Sequence, residues 1–264
     1  MGYRKERNDM KFALTIIIQL AVLAAYADSE LPPINQLVDS LDRLYRSSSS
    51  YTEMTMDIVT PHWERSMTMK AWSEGTDKTF IRILSPARDA GMATLRIGDE
   101  MWNYLPNTNS TVRVPPSMMS GAWMGSDITN NDIVREITYA DDYDYSYLPD
   151  SAVSDTSAEN IVYVELIPKS STAVVWSRIV CAVRLEDMIP LWEKYYDSSG
   201  DLIRTISFSE VEEMDGRTIP TVMKVIPHDE EGHSTTIEWT HAVFDQGVVE
   251  DIFTLRNLQS GGNA

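Results

Sequence analysis

Apolar and polar residues alternate along most of the chain after residue 50. Met54, Met56 and Ile58 are separated by polar residues, which is the period of a strand that buries one face. The segments with this pattern are residues 53–58, 67–71, 79–84, 92–97, 101–105, 111–114, 161–167, 176–185, 191–197, 202–211, 218–225 and 235–243. The turns between them are short, so neighbouring strands run antiparallel. The sequence therefore predicts an all-β sandwich or a curved, partly closed barrel.

A single amphipathic helix is predicted ahead of the strands. Leu37, Leu41 and Leu44 recur at helical spacing within residues 34–47, and Asp39 lies on the other side. The segment corresponds to about four turns.

Residues 1–27 are predicted to be a signal peptide that is cleaved after Ala27. Basic residues at the start are followed by an apolar run over 12–25 and by the small residues of a cleavage site. A retained membrane anchor is the alternative, because the uncharged stretch 12–27 is just under the roughly 17–25 residues that span a bilayer.

The charge balance argues against one broad class of partner. The chain has 22 lysine and arginine residues against 40 aspartate and glutamate residues, a formal net charge of −18. No run of basic residues offers a positive patch, so nucleic acid is predicted not to be a partner. Cys181 is the one cysteine, which prevents an intrachain disulfide. Its place in an alternating segment predicts a buried structural thiol.

The sequence contains no recognisable catalytic or cofactor-binding motif. The four histidines, His62, His228, His233 and His241, do not have the spacing of a zinc site. A Gly-x-Ser-x-Gly elbow and a Gly-x-x-x-x-Gly-Lys loop are both missing. The sequence therefore predicts a protein that is not an enzyme and that has no metal site and no cofactor.

Residues 139–156 separate the two series of strands and are rich in aspartate and tyrosine. This composition predicts a solvated connection, with a calcium loop as the alternative. Its aspartates, among them Asp141, Asp142 and Asp144, would also suit electrostatic docking of a protein partner.

The segment with the most unusual composition is residues 115–127, which we call the flap. Met119 and Trp123 are four residues apart, so one helical turn would place them on one face with Met118 beside them. Two glycines weaken such a helix. Methionine adapts to irregular apolar partners, so the flap is predicted to be a pliable cover over an apolar ligand. A buried connection that fills the end of the sheet is the alternative.

Five motifs follow one another along the chain, at residues 72–75, 80–88, 98–106, 117–127 and 216–221. Together they resemble the outer membrane lipoprotein-sorting proteins of the LolA-like superfamily, over roughly residues 45–258. The resemblance implies a mainly β fold with a few helices. In that fold a strongly curved antiparallel sheet forms an unclosed half-barrel, and helices cover its concave apolar face. No internal repeat of fixed period is evident, so residues 28–264 are predicted to be a single domain, which the resemblance makes LolA-like.

The same resemblance implies a function in the periplasm. LolA-like members carry the acyl chains of lipoproteins, so the first hypothesis is a carrier or chaperone for lipoprotein or lipid acyl chains. Its partners would be those acyl chains, an inner-membrane exporter and an outer-membrane acceptor, with only transient membrane contact. The alternative hypothesis is an RseB-like regulatory or sensor module that binds a protein partner.

The predicted ligand-binding residues come from the flap and from nearby strands. From the flap they are Met118, Met119, Trp123 and Met124. From the strands they are Trp102 and Tyr104, or else Met101 and Leu105, because alternation places these pairs on opposite faces without choosing between them. Trp72 is predicted with the same ambiguity, and an ordinary core position is its alternative.

Overall fold

The structure is a computed structural model, and it describes residues 31–44, 47–134, 138–153, 160–170, 172 and 174–260. The predicted signal peptide, residues 1–27, lies outside the described residues. Contacts divide the chain into Met1–Ile34 and Asn35–Ala264, and the second unit contains all the strands that the structure describes. None of the described helices combines the length and the apolar character that crossing a membrane requires.

In the described part of the chain, the strands form one antiparallel sheet. They are β1 Ser49–Val59, β2 Glu64–Glu74, β3 Lys78–Ser85, β4 Ala93–Ile97, β5 Glu100–Leu105, β6 Ser110–Arg113, β7 Tyr143–Leu148, β8 Ile161–Pro168, β9 Arg178–Arg184, β10 Ile189–Tyr196, β11 Leu202–Met214, β12 Arg217–Pro227 and β13 Ser234–Phe244. Their order across the sheet is β6-β5-β4-β3-β2-β1-β13-β12-β11-β10-β9-β8-β7. Strands β6 and β7 are its two edges and do not pair with each other. The predicted fold, a curved and unclosed antiparallel half-barrel with a few helices, is confirmed.

The described helices are short and lie before the first strand, between β6 and β7, or after the last strand. They are α1 Ile34–Arg43, α2 Asn130–Val134, α3 Tyr139–Asp142 and α4 Leu255–Gln259. Helix α1 buries Leu37, Val38 and Leu41, as its amphipathic pattern predicts. It is shorter than the predicted 34–47. The chain bends at Leu44, whose side chain packs against a cluster that includes Phe244.

The prediction of a solvated connection was wrong over residues 139–148, which form α3 and the edge strand β7. Tyr143 and Tyr145 occupy alternate positions of β7, while Asp144 between them is exposed. This period of two is the ordinary sign of a strand, but the neighbouring aspartates obscured it. The segment is a helical turn and a strand rather than a calcium-binding loop.

One face of the sheet, which we call the concave face, can be followed from strand to strand by the pairing register. Met56 of β1 pairs with Met67 of β2, and Met69 pairs with Ile83 of β3. From Ile83 the same face continues to Thr94 of β4, which pairs with the residue two positions before Ile83. All five side chains are almost completely buried, so this part of the concave face is apolar and covered.

The opposite face of β2 to β5 is covered by the C-terminal segment, residues 248–258. The apolar cluster there comprises Phe80, Ala93, Leu95, Tyr104, Phe253 and Leu258, with Trp72, Trp102, Val248 and Ile252 packed around it. Arg82 donates a hydrogen bond to the Asn257 carbonyl at 2.7 Å. These strands are therefore buried on both faces, which explains why β4 has hardly any exposed side chain.

Candidate ligand-binding site

The flap is a compact loop that is closed by its own hydrogen bonds. The Trp123 amide donates to the Ile128 carbonyl at 2.7 Å. The Asn130 side chain donates to the carbonyls of Met118 at 3.0 Å and Gly121 at 3.2 Å. These bonds lie within the loop and the residues that follow it, as in surface Ω-loops.

The predicted helical turn through Met119 and Trp123 does not form. A short 3-10 turn ends at Met118, and the chain then turns back so that Ala122 bridges to Thr129. Met118 is 59% exposed, whereas Trp123 is 2% exposed. The prediction of one face that holds Met119 and Trp123, with Met118 beside them, was therefore wrong. The hydrogen bonds that close the loop replace those of a helix.

Trp123 places its indole on the concave face. Its Nε1 donates to Thr94 Oγ1 at 3.1 Å, and Thr94 Oγ1 donates to Asn103 Oδ1 at 2.7 Å. The indole is thus buried with its one donor satisfied, which a tryptophan in a core requires. Met101 is fully buried and shares the face of Asn103 on β5 because the two are separated by one residue.

Polar side chains attach the flap to neighbouring strands. Arg65 of β2 donates to the Met124 carbonyl at 3.0 Å and pairs with Asp89 at 2.9 Å. Two strands away in the sheet, beyond β1, Thr235 of β13 donates through Oγ1 to Asp127 Oδ2 at 2.7 Å. The Asp127 amide donates in turn to Thr235 Oγ1 at 2.9 Å. The flap therefore links β2 to β13 across the concave face.

The structure separates the nine predicted site residues into two groups. The flap carries Met118, Met119, Trp123 and Met124, and Met101 and Leu105 belong to the strand face that the flap covers. Trp72, Trp102 and Tyr104 lie on the opposite face, in or against the cluster beneath the C-terminal segment. On β5, the flap thus covers the face of Met101 and Leu105 and not that of Trp102 and Tyr104. A ligand-binding role stays a prediction for all nine residues.

A cavity of about 380 Å³ lies beside the flap. It is lined by the β1–β2 turn with Trp63, by the β12–β13 turn, and by Trp176 and Arg204. From the flap and the residues just after it, the wall contains Ser120, Ala122, Gly125, Ser126, Asp127 and Thr129. This volume is at the low end of the range for small-molecule sites. None of the described residues that line the cavity is one of the nine predicted site residues. Sequence reasoning missed it because its walls come from segments far apart in the chain.

Farther along the sheet, the concave face becomes polar. The register that begins at Ile58 of β1 passes through Thr235 and Ile206 to Glu193 of β10. Glu193 accepts hydrogen bonds from the hydroxyls of Tyr139 at 2.8 Å and Tyr195 at 2.5 Å. A buried carboxylate with two hydroxyl donors is an arrangement that alternation alone could not have predicted.

A buried charge pair lies next to Glu193. Arg204 binds both oxygens of Asp132 in α2, at 2.8 and 2.9 Å. Its guanidinium lies 4.4 Å from the ring centroids of Trp176 and Tyr195, a cation–π arrangement that favours the charged form. Bidentate pairs of this kind are among the stronger hydrogen bonds in proteins.

Burial shifts the acid–base behaviour of this polar region. Desolvation raises the pKa of Glu193, although the Tyr195 and Tyr139 hydroxyls and Arg204 act in the opposite direction. Desolvation would also raise the pKa of Asp132, but the Arg204 charge and hydrogen bonds from Arg204 and Thr129 bring it below the usual value. Burial raises the pKa of the Cys181 thiol, in agreement with its predicted structural role.

The chain matches a family model described as "Uncharacterized protein" over residues 75–260. No curated protein matches it. Among solved structures, a DUF1329 family protein from Desulfovibrio piger is 28% identical, with 85% of this chain and 97% of that chain covered and a TM-score of 0.73.

Two further structures share the fold at lower identity. A structure described as an outer membrane lipoprotein-sorting protein domain, from Vibrio parahaemolyticus, is 21% identical, covers 85% of this chain and 97% of its own, and has a TM-score of 0.70. A LolA superfamily protein from Nitrosomonas europaea is 19% identical, covers 84% and 97%, and has a TM-score of 0.68. Because the family model spans more than half of the chain, the chain belongs to that family, and it shares the fold of the lipoprotein-sorting and LolA superfamily structures.

Proposed function

We propose that this protein is a periplasmic carrier that holds an acyl chain of a lipoprotein or lipid on its concave face, beneath the flap. One observation carries the proposal: the flap closes an apolar face rich in methionine with a buried tryptophan, yet keeps its shape through its own hydrogen bonds. A loop of this kind can leave the sheet as a unit, without unfolding.

The energetics of an acyl chain suit such a site. Burial is worth about 0.8 kcal/mol per CH₂, so a chain of ~14 carbons contributes roughly 11 kcal/mol before costs. Release is the harder step for a carrier. A well-packed closed state, with Trp123 buried on the concave face against Thr94, lowers the net affinity by the free energy needed to open it.

The cavity beside the flap supports a route to the apolar face. Residues within the stretch 120–129 form part of its wall, while Trp123 in that stretch contacts Thr94 on the concave face. Outward movement of the flap would therefore join the cavity to the methionine-lined strands. The mixed wall, with Trp63 and Trp176 next to polar groups, suits a ligand with both an acyl chain and a polar head.

The remaining parts of the proposal rest on the sequence and on the family. The predicted signal peptide supports export, and the LolA-like fold supports a carrier without catalytic activity that meets an exporter and an acceptor and touches membranes transiently. The acidic surface, with a net charge of −18 for the whole chain, disfavours lasting adhesion to anionic membranes.

The test is to lock the flap with a disulfide. Asp127→Cys together with Thr235→Cys replaces two residues whose side chains are 2.7 Å apart, and Cys181, the one native cysteine, is buried. We expect the oxidised double variant of residues 28–264 to lose uptake of a fluorescent fatty acid, and reduction to restore it.

The single variant Thr235→Cys is the matched control, because it carries a thiol that has no partner for a bridge. Uptake by the oxidised double variant at the level of this control would contradict the proposal, since it would mean that the flap does not open for the ligand. Native mass spectrometry of the protein after gentle purification, which should reveal bound lipid, provides an independent measurement.

A further inference from the structure

Three side chains with metal-binding groups meet where the flap touches the β12–β13 turn. The His233 Nδ1 atom lies 2.8 Å from Glu230 Oε2 and 3.8 Å from Asp127 Oδ1. One ligand atom from each residue lies within 4.8 Å of the other two. Glu230 and His233 are local neighbours, but Asp127 comes from the flap, over 100 residues earlier in the chain.

The charges of this cluster are unbalanced. Among the described residues, no lysine or arginine forms an ion pair with Asp127 or Glu230, and His233 is their one basic neighbour within ion-pair distance. The Asp127 side chain is only 9% exposed, so water screens its charge poorly. Arg204 lines the same cavity, but its charge is paired with Asp132.

The surrounding contacts hold Asp127 in place, together with the turn that carries Glu230 and His233. Thr235 donates to the Asp127 oxygen Oδ2 at 2.7 Å and leaves Oδ1, the atom nearer His233, available. This is how an outer hydrogen bond orients a carboxylate ligand. In the turn, Gly232 has a φ of +80°, and a Cβ at this position would lie 3.1 Å from Pro61 Cγ. The turn is therefore packed closely against the β1–β2 turn.

The donor set identifies the chemical class of the ligand. One imidazole nitrogen and two carboxylate oxygens suit zinc and related divalent transition metals, whose bonds of about 2.0–2.2 Å separate tetrahedral ligand atoms by about 3.3 Å. The observed separations of 2.8 and 3.8 Å bracket that value. Small side-chain rotations would bring all three atoms to one ion, and the adjoining cavity leaves room for water as a fourth ligand.

We propose that Asp127, Glu230 and His233 bind one divalent cation of the zinc class, which joins the flap to the β12–β13 turn. The cation stabilises the closed position of the flap, because one of its ligands moves with the flap and the other two belong to the barrel. The metal site itself does not depend on the proposed acyl-chain function, and it is tested without lipid.

The experiment is titration of metal-free protein, residues 28–264, with Zn²⁺ by isothermal calorimetry in the presence of excess Mg²⁺. We expect one Zn²⁺ per chain, and weakening by about 100-fold or more in His233→Ala and Glu230→Gln. Glu230 is largely exposed, so Glu230→Gln should fold normally. Co²⁺ should give the visible absorption of a low-coordinate site in the wild type and lose it in both variants.

The matched control is His228→Ala, which removes a histidine of the same hairpin that bonds to Thr205 at 2.8 Å instead. It should bind Zn²⁺ as the wild type does. Equal affinity in the wild type and His233→Ala, or complete displacement by Mg²⁺, would indicate ions held only by surface charge and would overturn the site.

Hydrogen exchange tests the link between the metal and the flap. Zn²⁺ should slow the exchange of residues 120–129 in the wild type, and unchanged exchange with Zn²⁺ bound would overturn that link.

Discussion

Two regions of the concave face differ in what they bury. On β1 to β3 it carries Met56, Met67, Met69 and Ile83, which are apolar and almost fully buried. On β10 and β11 it carries Glu193 and Arg204, which are just as buried but are bound by hydroxyl groups and by a carboxylate. The same sheet thus presents an adaptable apolar surface at one side and a fixed hydrogen-bonded network at the other.

The difference suggests a division of roles within one half-barrel. The polar region ties helices to the sheet, since Asp132 of α2 pairs with Arg204 and Tyr139 of α3 bonds to Glu193. Directional contacts of this kind permit one arrangement only. The apolar region is covered by a loop that carries most of its hydrogen bonds within itself. We therefore expect the apolar region to open and the polar region to stay closed.

The largest expected effect separates the two faces of the apolar strands. Trp123→Ala should lower the free energy of unfolding by about 3–5 kcal/mol, as for a buried tryptophan, and Trp102→Ala should lower it by less because Trp102 is only partly buried. Only Trp123→Ala should also tighten binding of a fluorescent fatty acid, by about tenfold or more, because it weakens the closed state that competes with the ligand. Chemical denaturation and probe titration measure the two effects.

Trp102 is the matched control because it packs beneath the C-terminal segment, on the other face of the sheet. Equal changes in probe affinity for the two variants, or none for either, would mean that Trp123 is an ordinary core residue.

The polar region should be sensitive to loss of a single charge. Arg204→Ala leaves the largely buried Asp132 carboxylate unpaired, so we expect the free energy of unfolding to fall by about 3–5 kcal/mol. The more exposed pair Arg184–Asp187 provides the control, since Arg184→Ala should cost less than about 1 kcal/mol. Urea denaturation of both variants measures the difference, and equal losses would show that the Arg204 pair is no stronger than a surface pair.

The pH dependence of stability tests the buried carboxylate of Glu193. Burial raises the pKa of Glu193. At pH values between the ordinary carboxyl pKa and this raised pKa, Glu193 therefore holds a proton in the folded protein but not in the unfolded chain. As the pH falls through that interval, the wild type should become more stable relative to Glu193→Gln. Denaturation of both proteins at several pH values above 4.5 measures the difference. A wild type that loses stability relative to the variant over this interval would contradict the assignment.

The smallest effect is expected at the outer surface of α3 and β7. Asp141 and Asp144 are exposed, so replacing both with asparagine should change the free energy of unfolding by less than about 0.5 kcal/mol each. Acyl-probe uptake should not change either. If the double variant instead lost a salt-sensitive protein partner that the wild type binds, the regulatory alternative would gain support over the carrier.

Much of the fold could be read from short-range patterns. The strand segments were predicted because each buries one side against the core, and this leaves a period of two in the sequence. Strand β7 was missed although Tyr143 and Tyr145 follow that period, because the aspartates between them resemble a loop. The conformation of the flap was predicted incorrectly because its bonds to Asn130 depend on residues that lie outside the unusual segment.

By itself, the sequence determined the antiparallel sheet, the amphipathic helix and the acidic charge, because all of these depend on composition and on neighbours close in the chain, and five motifs in order carried the resemblance to a family. Tertiary structure alone decided that Trp123 is buried on the concave face, that Trp102 lies on the other face, and that Asp127 meets His233. Alternation defines two faces of a strand but not which face turns inward. Side chains more than 100 residues apart come together only when the curved sheet brings its distant strands beneath one loop.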